Sequence, residues 1–407
     1  MPVIVIGAGV IGVAAAVALR RDGHDVILLD RGEPGRATSY GNMAGIGSTE
    51  FLPLSYPGVW RRLPRWLLDP DGPLALRPSY LPKALPWLAR FIWSGRPSRW
   101  REIAEAGATL CRRALTDTRQ LLEAAGLRHL LVEEGCLCLY ANERERAEDS
   151  LRLRFLREHD FEVRELNAAA LTDLEPAVAP QFHSGVLLPQ WQRVVNPYEV
   201  VKRLFERFIQ DGGRFVTKDA VRLTAEVIEF ADGSRQPFST AVVATGAWSA
   251  KLAATLGDYI PLESERGYHS DLPHPGVRPR LTLTWPAKAF VIVPIDGDKL
   301  RVGGTVEIAG LEAPPNFRRA RVLLGHAKQI LPALDTRDPS EWMGHRPALP
   351  DTIPVIGRSP HAPNVIYAFG HGHLGLTLAA TTASLVADLA MRRPSPLDLS
   401  PYRVERF

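Results

Sequence analysis

The stretch PVIVIGAGVIGVAAAVALRRDGHDVILLD, residues 2–30, constrains the fold more than any other part of the sequence. It contains an apolar strand, VIVI, then the glycine-rich loop GAGVIG, an alanine-rich helix that continues to about Arg21, and a second apolar strand, DVILLD, that ends on Asp30. Two apolar strands joined by a helix over so short a distance form a β-α-β unit with parallel strands. The sequence therefore predicts an α/β fold in which helices cover a parallel sheet.

The glycines of the GAGVIG loop have separate steric roles. Gly7 turns the chain tightly, Gly9 lets a pyrophosphate approach the backbone, and Gly12 lets the helix pack closely on the strand. Phosphate oxygens would then lie at the helix N-terminus, where free N–H groups and the helix dipole favour negative charge. Asp30 ends the second strand eighteen residues after Gly12, where a carboxylate can accept hydrogen bonds from a ribose. The unit predicts dinucleotide binding, with NAD and FAD both open at this point.

Features outside this unit favour FAD. The fingerprint occurs once, at the start of the chain, and after Asp30 the chain continues as RGEPGRATSYGNMAGIG, a polar, glycine-rich stretch that can cover an isoalloxazine ring with backbone amides. In AVVATGAWS, residues 241–249, a buried strand breaks at Gly246 into a turn that can return the chain to the pyrophosphate. Near the C-terminus, the strand VIYAFG meets a glycine-rich turn at 370–375, and a helix is predicted from about Leu376. Its N–H groups would face the negative end of a reduced flavin.

Composition excludes several classes of protein. The formal net charge of +4 is small for 407 residues, and no run of Lys and Arg resembles a nucleic-acid-binding stripe, so no nucleic-acid partner is expected. The cysteines, Cys111, Cys136 and Cys138, lack zinc-site spacing, which predicts a reducing compartment and no metal site. No export signal and no long uninterrupted apolar run is visible. We therefore expect a cytoplasmic protein, with two domains because the chain is too long for one simple core.

Residues 60–100 leave two interpretations open. The segments WRRLPRWLLDP and LPKALPWLARFIWSGRPSRW combine tryptophans with many Arg and Lys residues. This mixture is typical of a segment that lies on a membrane surface, and equally of an ordinary packed insertion. The first interpretation predicts peripheral contact with the inner membrane.

Taken together, the motifs resemble those of the FAD-dependent amine and amino-acid oxidoreductases of the D-amino acid oxidase type. The resemblance covers nearly the whole chain and rests on GAGVIG, TSYGNMAGI at 38–46, ATGAWS at 244–249, RGYH at 266–269, GGTVE at 303–307, HRPALPDTIPVIG at 345–357 and GHGHLGLT at 370–377. Within the family, TSYGNMAG and RPSYLPKALPWLARF look most like bacterial D-amino acid dehydrogenases. The resemblance implies two domains, non-covalently bound FAD and oxidation of an amine next to a carboxylate.

Arg346 in the HRP motif matches the arginine that pairs with the substrate's carboxylate in this family. A guanidinium offers two parallel N–H donors to a planar carboxylate, which fixes orientation as well as affinity. A structural ion pair between Arg346 and Asp351 is the alternative. Tyr268 is the second candidate, either as a further donor to the carboxylate or as an ordinary packed side chain. His269 would point away from it if the segment is a strand.

Two histidines fall in the predicted turn beside the flavin. We expect His371 to support the loop and His373 to line the pocket, which makes His373 the third catalytic candidate.

The loop geometry and the family resemblance also imply which residues contact FAD. A contact between adenine and the Val221 backbone fits the family, and no covalent attachment is expected. The predicted cofactor-binding residues are Gly7, Gly9, Val10, Ile11, Gly12, Asp30, Arg31, Thr38, Ser39, Asn42, Ala44, Gly45, Val221, Gly246, Trp248, Gly370, Gly372, Gly375, Leu376 and Thr377.

The predicted strands give a discontinuous domain layout. A Rossmann-like FAD-binding domain of the glutathione reductase type is predicted at 1–58, 196–258 and 341–407. A substrate domain is predicted at 59–195 and 259–340, where runs such as EGCLCLY, SGVLLPQ, RLTLTW and FVIVPI suit a mostly antiparallel sheet over the flavin.

The expected function is FAD-dependent oxidative deamination of a D-amino acid, with hydride transfer from Cα to flavin N5. Cyclic substrates such as D-proline or hydroxyproline are included. No general base is assigned, because the motifs contain no carboxylate or lysine clearly placed for one. The alternatives are an O2-using amine oxidase of the sarcosine or glycine type, and a flavin-holding subunit of a larger complex. A quinone or another carrier is favoured over O2 as electron acceptor, and the oligomeric state is left undefined.

Overall fold

The computed structural model describes residues 1–61, 63–69 and 71–407, without the side chains of Pro64, Arg65 and Leu68. Its α-helices span Val10–Arg21, Leu63–Leu68, Leu81–Ser94, Pro97–Ala124, Glu143–Glu148, Ser150–Glu158, Ala168–Leu174, Pro197–Gln210, Ser249–Ala254, Arg318–Ile330 and Ala379–Met391. Short 3-10 turns lie at Val59–Arg61, Pro78–Tyr80, Arg128–Leu130, Gly246–Trp248, Pro286–Lys288, Gly372–Leu374, Ser400–Tyr402 and Val404–Arg406.

The N-terminal strand belongs to a sheet of six strands within the described residues. Strands Val3–Ile6 and Val26–Asp30 run parallel, with Val3 opposite Val26, and helix Val10–Arg21 connects them. All neighbouring strands are parallel except the last pair, which is antiparallel. The strand order is Arg214–Thr217, Val26–Asp30, Val3–Ile6, Thr240–Val243, Val365–Phe369 and Val355–Arg358. The Rossmann-like domain predicted from the sequence is confirmed.

Helices on both faces explain why these strands read as continuous apolar runs. All residues of strand Val3–Ile6 are buried, so both of its faces lack solvent contact. Helix Val10–Arg21 packs against helices Pro197–Gln210 and Ala379–Met391. Helix Pro197–Gln210 begins where the side chain of Asn196 accepts a hydrogen bond from the backbone N–H of Tyr198 at 3.0 Å.

A second, larger sheet carries the segments predicted for the substrate domain. Its neighbouring strands are antiparallel except where Thr282–Trp285 meets Cys136–Tyr140 and where Leu74–Leu76 joins Leu300–Ile308. Strand order is Ser340–Ala348, Glu263–Leu272, Leu300–Ile308, Phe290–Pro294, Thr282–Trp285, Cys136–Tyr140, Ser184–Leu188 and Arg164–Asn167, with Leu74–Leu76 added beside Leu300–Ile308. The mostly antiparallel second sheet is confirmed.

Two small antiparallel sheets complete the described strands. One contains Ala220–Leu223, Val227–Phe230 and Arg235–Pro237, and the other contains Gly45–Gly47, Trp191–Val194 and Leu131–Val132.

The segment RFVTKDAVRL, residues 214–223, follows a predicted helix and is itself predicted from its sequence to be one strand; this prediction is wrong. The segment forms strand Arg214–Thr217 and then, after Lys218 and Asp219, strand Ala220–Leu223. The first pairs with the parallel sheet and the second with Val227–Phe230 in a separate sheet. Apolar residues occur in both halves and no glycine or proline separates them, so the pattern alone does not reveal the change of partner.

The boundary predicted at 341 falls inside strand Ser340–Ala348, which pairs along its length with Glu263–Leu272 of the large sheet. We therefore propose that the FAD-binding domain resumes after Ala348.

The last helix begins at Ala379 rather than near Leu376, because a 3-10 turn at Gly372–Leu374 precedes it.

None of the helices in the described part of the chain is long and apolar enough to cross a membrane.

Candidate active site

A cavity of about 1360 Å³ is lined by residues of both large sheets. The GAGVIG loop and the end of strand Val26–Asp30 line one part of it, and strands Glu263–Leu272 and Ser340–Ala348 line another. The turn that contains Gly372–Leu374 also contributes. A cavity of this size exceeds the usual range for a single small ligand.

The GAGVIG loop has the conformation that its glycines predict. Gly7 has φ +105°, and a Cβ atom there would lie 2.4 Å from the carbonyl oxygen of Ala244. A Cβ atom on Gly12 would lie 1.8 Å from the carbonyl oxygen of Gly7, so only glycine allows the helix to start this close to the strand. By contrast, the nearest atom to a Cβ on Gly9 is the hydroxyl of Ser39 at 3.4 Å. Of the three glycines, only Gly9 has no backbone atom within 4 Å of a Cβ position.

Side chains from later segments hold this loop. The Asp30 carboxylate accepts hydrogen bonds from the backbone N–H groups of Ala8 at 2.7 Å and Gly32 at 2.9 Å. The Ser39 hydroxyl accepts from the N–H of Val10 at 2.9 Å. The polar stretch after Asp30 therefore returns to the helix N-terminus, where anions are favoured.

The other glycine-rich turns close around the same cavity. Gly246 and Gly372 have φ of +57° and +54°, and no atom lies within 4 Å of a Cβ position on either. The Thr377 hydroxyl accepts a hydrogen bond from the N–H of Gly47 at 2.9 Å, which ties the C-terminal turn to strand Gly45–Gly47. The guanidinium of Arg31 lies 4.4 Å from the ring centre of Trp248.

Most of the predicted site residues line this one cavity. Three of them, Gly12, Ala44 and Gly370, do not line it. Ala44 and Gly370 have positive φ of 60° and 82° and lie in the loops next to residues that do. The predicted residues that do line it are Gly7, Gly9, Val10, Ile11, Asp30, Arg31, Thr38, Ser39, Asn42, Gly45, Val221, Gly246, Trp248, Tyr268, Arg346, Gly372, His373, Gly375, Leu376 and Thr377.

These residues fit FAD. No backbone atom obstructs the Cβ position of Gly9, so a pyrophosphate can approach the helix N-terminus there, and the Asp30 carboxylate accepts a hydrogen bond from the neighbouring Ala8 N–H. Within the described structure, the side-chain oxygen of Asn42 is buried without a hydrogen-bond partner. A buried acceptor of this kind requires a donor, and a donor group of the bound cofactor would supply one.

The roof of the cavity is one face of two paired strands. Glu265 lies opposite Arg346, Gly267 opposite Gly344, and His269 opposite Trp342. Because side chains alternate along a strand, these positions project to the same face. All of them line the cavity.

Arg346 is held on this roof with its guanidinium accessible to the cavity. Its Nη1 donates a hydrogen bond to the carbonyl oxygen of Thr305 at 2.9 Å. A Cβ atom on Gly267 would lie 2.3 Å from Nη2, so the guanidinium passes directly over this glycine. The alternative ion pair with Asp351 is wrong, because Asp351 pairs with Arg406 at 2.7 Å. Among the described residues, Arg346 has no carboxylate within ion-pair distance, which leaves its charge free for a ligand.

The geometry does not support Tyr268 as a donor to the substrate carboxylate. Tyr268 follows Gly267 on the strand and therefore projects from the face opposite to Arg346. Its hydroxyl donates to the buried carboxylate of Glu307 and accepts from the N–H of Asn316 at 3.0 Å. Although Tyr268 contributes to the cavity wall, its hydroxyl is already occupied.

His269 takes the roof position that the sequence did not favour. Its ring stacks on Trp342 with centroids 5.0 Å apart, and its Nδ1 lies 3.0 Å from the carbonyl oxygen of Gly41. Burial, reinforced by the charge of Arg301, lowers the pKa of His269 to about 3. A neutral His269 therefore joins the roof to the polar loop at Gly41.

The two histidines of the C-terminal turn differ in position. His371 is buried, and its Nε2 lies 2.9 Å from the hydroxyl of Thr382. Burial lowers the pKa of His371 to about 3. His373 is exposed to the open cavity, yet the protein around the cavity and then the charge of Arg346 lower its pKa to about 4. Both are neutral near pH 7, so neither adds charge to the site.

Sequence reasoning missed Glu265, a buried carboxylate on the roof that is only 5% exposed. It stands in ESERGYH, one residue before the RGYH motif, and no spacing marks it as different from Glu263. Its pairing with Arg346 across two distant strands becomes visible only in the structure.

The fold and the cavity define a two-domain dinucleotide-binding enzyme. On the roof of its cavity, the positive charge of Arg346 is free to bind a ligand. The model of the FAD-dependent oxidoreductase family DAO matches residues 2–389. The chain belongs to this family, and its cofactor is FAD.

Curated relatives match the chain along its full length. A D-amino-acid oxidase of Bradyrhizobium diazoefficiens is 38% identical over 100% of this chain and 98% of its own. A D-amino acid dehydrogenase of Rhizorhabdus wittichii is 29% identical over 100% of both chains.

Solved structures share the fold. Glycine oxidase from Geobacillus kaustophilus superimposes with a TM-score of 0.79 at 21% identity, over 100% of this chain and 98% of that one. L-proline dehydrogenase from P. horikoshii gives a TM-score of 0.74 at 16% identity, over 100% and 97%. At these identities the likeness concerns the fold alone.

Proposed function

We propose that this enzyme oxidises a D-amino acid to its imino acid, which water then hydrolyses to a 2-oxo acid and ammonia. One observation carries the proposal: the guanidinium of Arg346 is fixed on the roof of the cavity that also contains the GAGVIG loop. The names of the curated relatives supply the substrate class.

FAD, when bound, supplies an acceptor for the hydride that leaves the substrate Cα. The chain's own residues bind and orient the substrate. Arg346 can hold the α-carboxylate with two parallel N–H groups, because only one of its terminal nitrogens is engaged by Thr305. Holding the carboxylate fixes the direction of the neighbouring Cα–H bond, and orientation of this kind can lower a barrier by several kcal/mol.

The test is to mix the purified holoenzyme anaerobically with a panel of D- and L-amino acids and follow flavin absorbance. The panel contains alanine, proline, 4-hydroxyproline, phenylalanine and lysine in both configurations, with glycine and sarcosine added. We expect rapid bleaching by at least one D-isomer and much slower bleaching by its L-isomer. Bleaching by glycine or sarcosine alone would instead identify an amine oxidase of that type. No bleaching by any compound would favour a flavin-holding subunit.

We further propose that residues 60–100 contact the inner membrane and that the electron acceptor is a quinone or another carrier rather than O2. Arg62, Pro70 and the side chains of Pro64, Arg65 and Leu68 lie outside the described part of this segment. Many large apolar side chains of the segment are exposed, namely Trp60, Leu67, Leu81, Leu85, Ile92 and Trp93. Arg61, Lys83, Arg90 and Arg96 of the same segment are also exposed, and Arg61 and Arg96 lie over the rings of Trp60 and Trp93. Apolar side chains among cations suit an anionic lipid surface.

The acceptor can be tested on the same reduced enzyme. Substrate-reduced flavin is mixed either with air-saturated buffer or with a water-soluble quinone analogue under nitrogen. Faster reoxidation by the quinone supports the proposal, and equal or faster reoxidation by air contradicts it.

A further inference from the structure

Glu265 is a buried acid that faces the cavity beside the proposed carboxylate-binding arginine. It lies directly opposite Arg346 in the antiparallel pair and lines the same cavity. Directly opposite side chains on one face have Cβ atoms about 4.5–5.5 Å apart. The roof therefore presents a carboxylate and a guanidinium side by side.

The carboxylate of Glu265 is not occupied by the protein. Glu263, two residues earlier on the same face, accepts hydrogen bonds from the Tyr80 hydroxyl at 3.0 Å and from the Ser264 N–H at 2.7 Å. For Glu265, the described residues provide neither a hydrogen bond nor an ion pair within 4 Å. Arg346 is near enough to act on it electrostatically, but the two charges do not pair. Burying an unpaired carboxylate is costly, so a cationic ligand group is the missing partner.

An amino acid in its zwitterionic form matches this pair of charges. Its carboxylate and its ammonium are attached to the same carbon, so a substrate whose carboxylate binds Arg346 places its ammonium within a few ångströms. Glu265 is the acid on the side of the roof where that ammonium can lie.

We propose that Glu265 binds the ammonium group of the amino-acid substrate and accepts one of its protons. This inference rests on the proposed oxidation of an amino acid. An N–H bond of the ammonium breaks, an O–H bond forms on the Glu265 carboxylate, and the electron pair stays on nitrogen as the free amine. Only the free amine can push electrons towards the Cα–H bond as the hydride leaves.

The charged groups around Glu265 suit a proton acceptor near neutral pH. Burial is the largest effect and raises its pKa to about 7, while Arg346 opposes this rise and Glu263 adds to it. From the C-terminal turn, His373 is the remaining titratable group near Arg346, and its lowered pKa keeps it neutral. An acid with a pKa near the working pH can both take up and release the proton.

The experiment compares Glu265→Gln with Glu263→Gln, which alters a buried acid on the same face that does not line the cavity. Anaerobic flavin reduction is measured from pH 6 to pH 10 with whichever amino acid of the panel reduces the wild-type flavin fastest. In the wild type the rate should rise with pH through a value near 7. In Glu265→Gln we expect a loss of about a hundredfold at pH 7, typical of removing a general base, that shrinks as pH rises. Glu263→Gln should stay within a few-fold of the wild type.

A second ligand separates proton transfer from general damage to the site. Propanoate lacks the ammonium, so its binding, followed by the change in flavin absorbance, should be unchanged in Glu265→Gln and lost in Arg346→Leu. Glu265→Asp keeps an acid in place and should retain the rise in rate near neutral pH.

Two results would overturn the inference. One is that Glu265→Gln reduces its flavin at the wild-type rate and with the wild-type pH profile. The other is that Glu265→Gln loses the same factor in the rate of flavin reduction at every pH. If no amino acid bleaches the wild-type flavin, the proposed function itself fails, and that result is separate from both.

Discussion

At the scale of single residues, the orientation of the Arg346 guanidinium depends on neighbouring residues. The carbonyl oxygen of Thr305 holds one terminal nitrogen, and the absence of a side chain on Gly267 leaves space for the other. Burial lowers the pKa of Arg346 and Glu265 opposes that change, but an arginine remains charged in either case. A fixed, unpaired cation in a partly buried site is suited to binding one planar anion.

Replacing this cation tests its role directly. In Arg346→Leu we expect kcat/KM for the amino-acid substrate to fall about a hundredfold or more, in line with about 2–5 kcal/mol for removing one partner of a buried charge pair. Arg346→Lys should recover part of the loss, because lysine keeps the charge but not the paired N–H geometry. Steady-state kinetics together with the flavin-to-protein ratio provide the measurement.

The flavin content is the control for this prediction. Arg346 lies on the roof and the GAGVIG loop on another wall of the cavity, so both variants should retain FAD. Loss of flavin from Arg346→Leu would mean that the arginine supports the cofactor rather than the substrate.

Residue-level prediction from sequence worked where a motif carries chemistry and failed where strand pairing decides. Arg346 stands in a recognisable HRP motif, whereas Glu265 differs from Glu263 only in what lies opposite to it. Tyr268 and His269 are adjacent, and sequence alone does not say which of two alternating faces meets the cavity. In the structure His269 projects from the same face as Trp342 and Arg346, and the Tyr268 hydroxyl donates a hydrogen bond to Glu307.

At the scale of elements, glycines on the two roof strands leave space for large side chains that pass directly over them. A Cβ atom on Gly344 would lie 2.0 Å from the ring of Trp342, and one on Gly267 would lie 2.3 Å from Arg346. These opposite glycines form a shallow strip between the His269–Trp342 stack and the Glu265–Arg346 pair. The strip leaves space on the roof between these two pairs of side chains.

Filling the strip should disturb the substrate without removing the cofactor. In Gly267→Ala the new methyl group would displace the guanidinium of Arg346, so we expect kcat/KM to fall about ten- to hundredfold, the usual result of misplacing an orienting group by about 1 Å. Gly325→Ala is the matched control, because nothing lies within 4 Å of a Cβ there and alanine favours its helix. Wild-type kinetics in Gly267→Ala would contradict the proposed path of the Arg346 side chain.

Elements that depend on local pattern were predictable, and elements that depend on a distant partner were not. Strands Cys136–Tyr140, Ser184–Leu188 and Phe290–Pro294 follow from their apolar residues and flanking turns. Strand Ser340–Ala348 crosses the predicted domain boundary because its partner is Glu263–Leu272, more than sixty residues earlier. Strand partners of this separation are set by tertiary packing, which local propensity does not encode.

At the scale of the whole molecule, helix Leu81–Ser94 exposes apolar side chains on its outer side. Helix Leu81–Ser94 buries Ala84 and Trp87 against the body of the protein. On its outer side Leu81, Leu85 and Ile92, at helical spacing, remain exposed beside Trp93. A helix with apolar residues on both sides is normally buried, so an exposed apolar side indicates a contact surface.

Binding to lipid vesicles is the test of this surface. We expect the holoenzyme to sediment with vesicles that contain anionic phospholipid, to bind neutral vesicles more weakly, and to be released by high salt, because Arg61 and Arg96 lie beside the apolar side chains. Trp93→Glu should reduce binding at least tenfold, since it removes an exposed aromatic ring and adds a charge that anionic lipid repels. Tyr259→Glu is the matched control, because Tyr259 is 81% exposed and lies outside residues 60–100.

The amino-acid half of the reaction separates loss of docking from loss of folding. Flavin reduction by a soluble amino acid needs only the cavity, so the flavin of Trp93→Glu should be reduced at the wild-type rate. Electron transfer from this variant to a quinone embedded in the vesicles should be slower than in the wild type. If Trp93→Glu and Tyr259→Glu bind vesicles as the wild type does, residues 60–100 are a packed insertion. In that case a water-soluble carrier, rather than a membrane quinone, must meet the reduced enzyme.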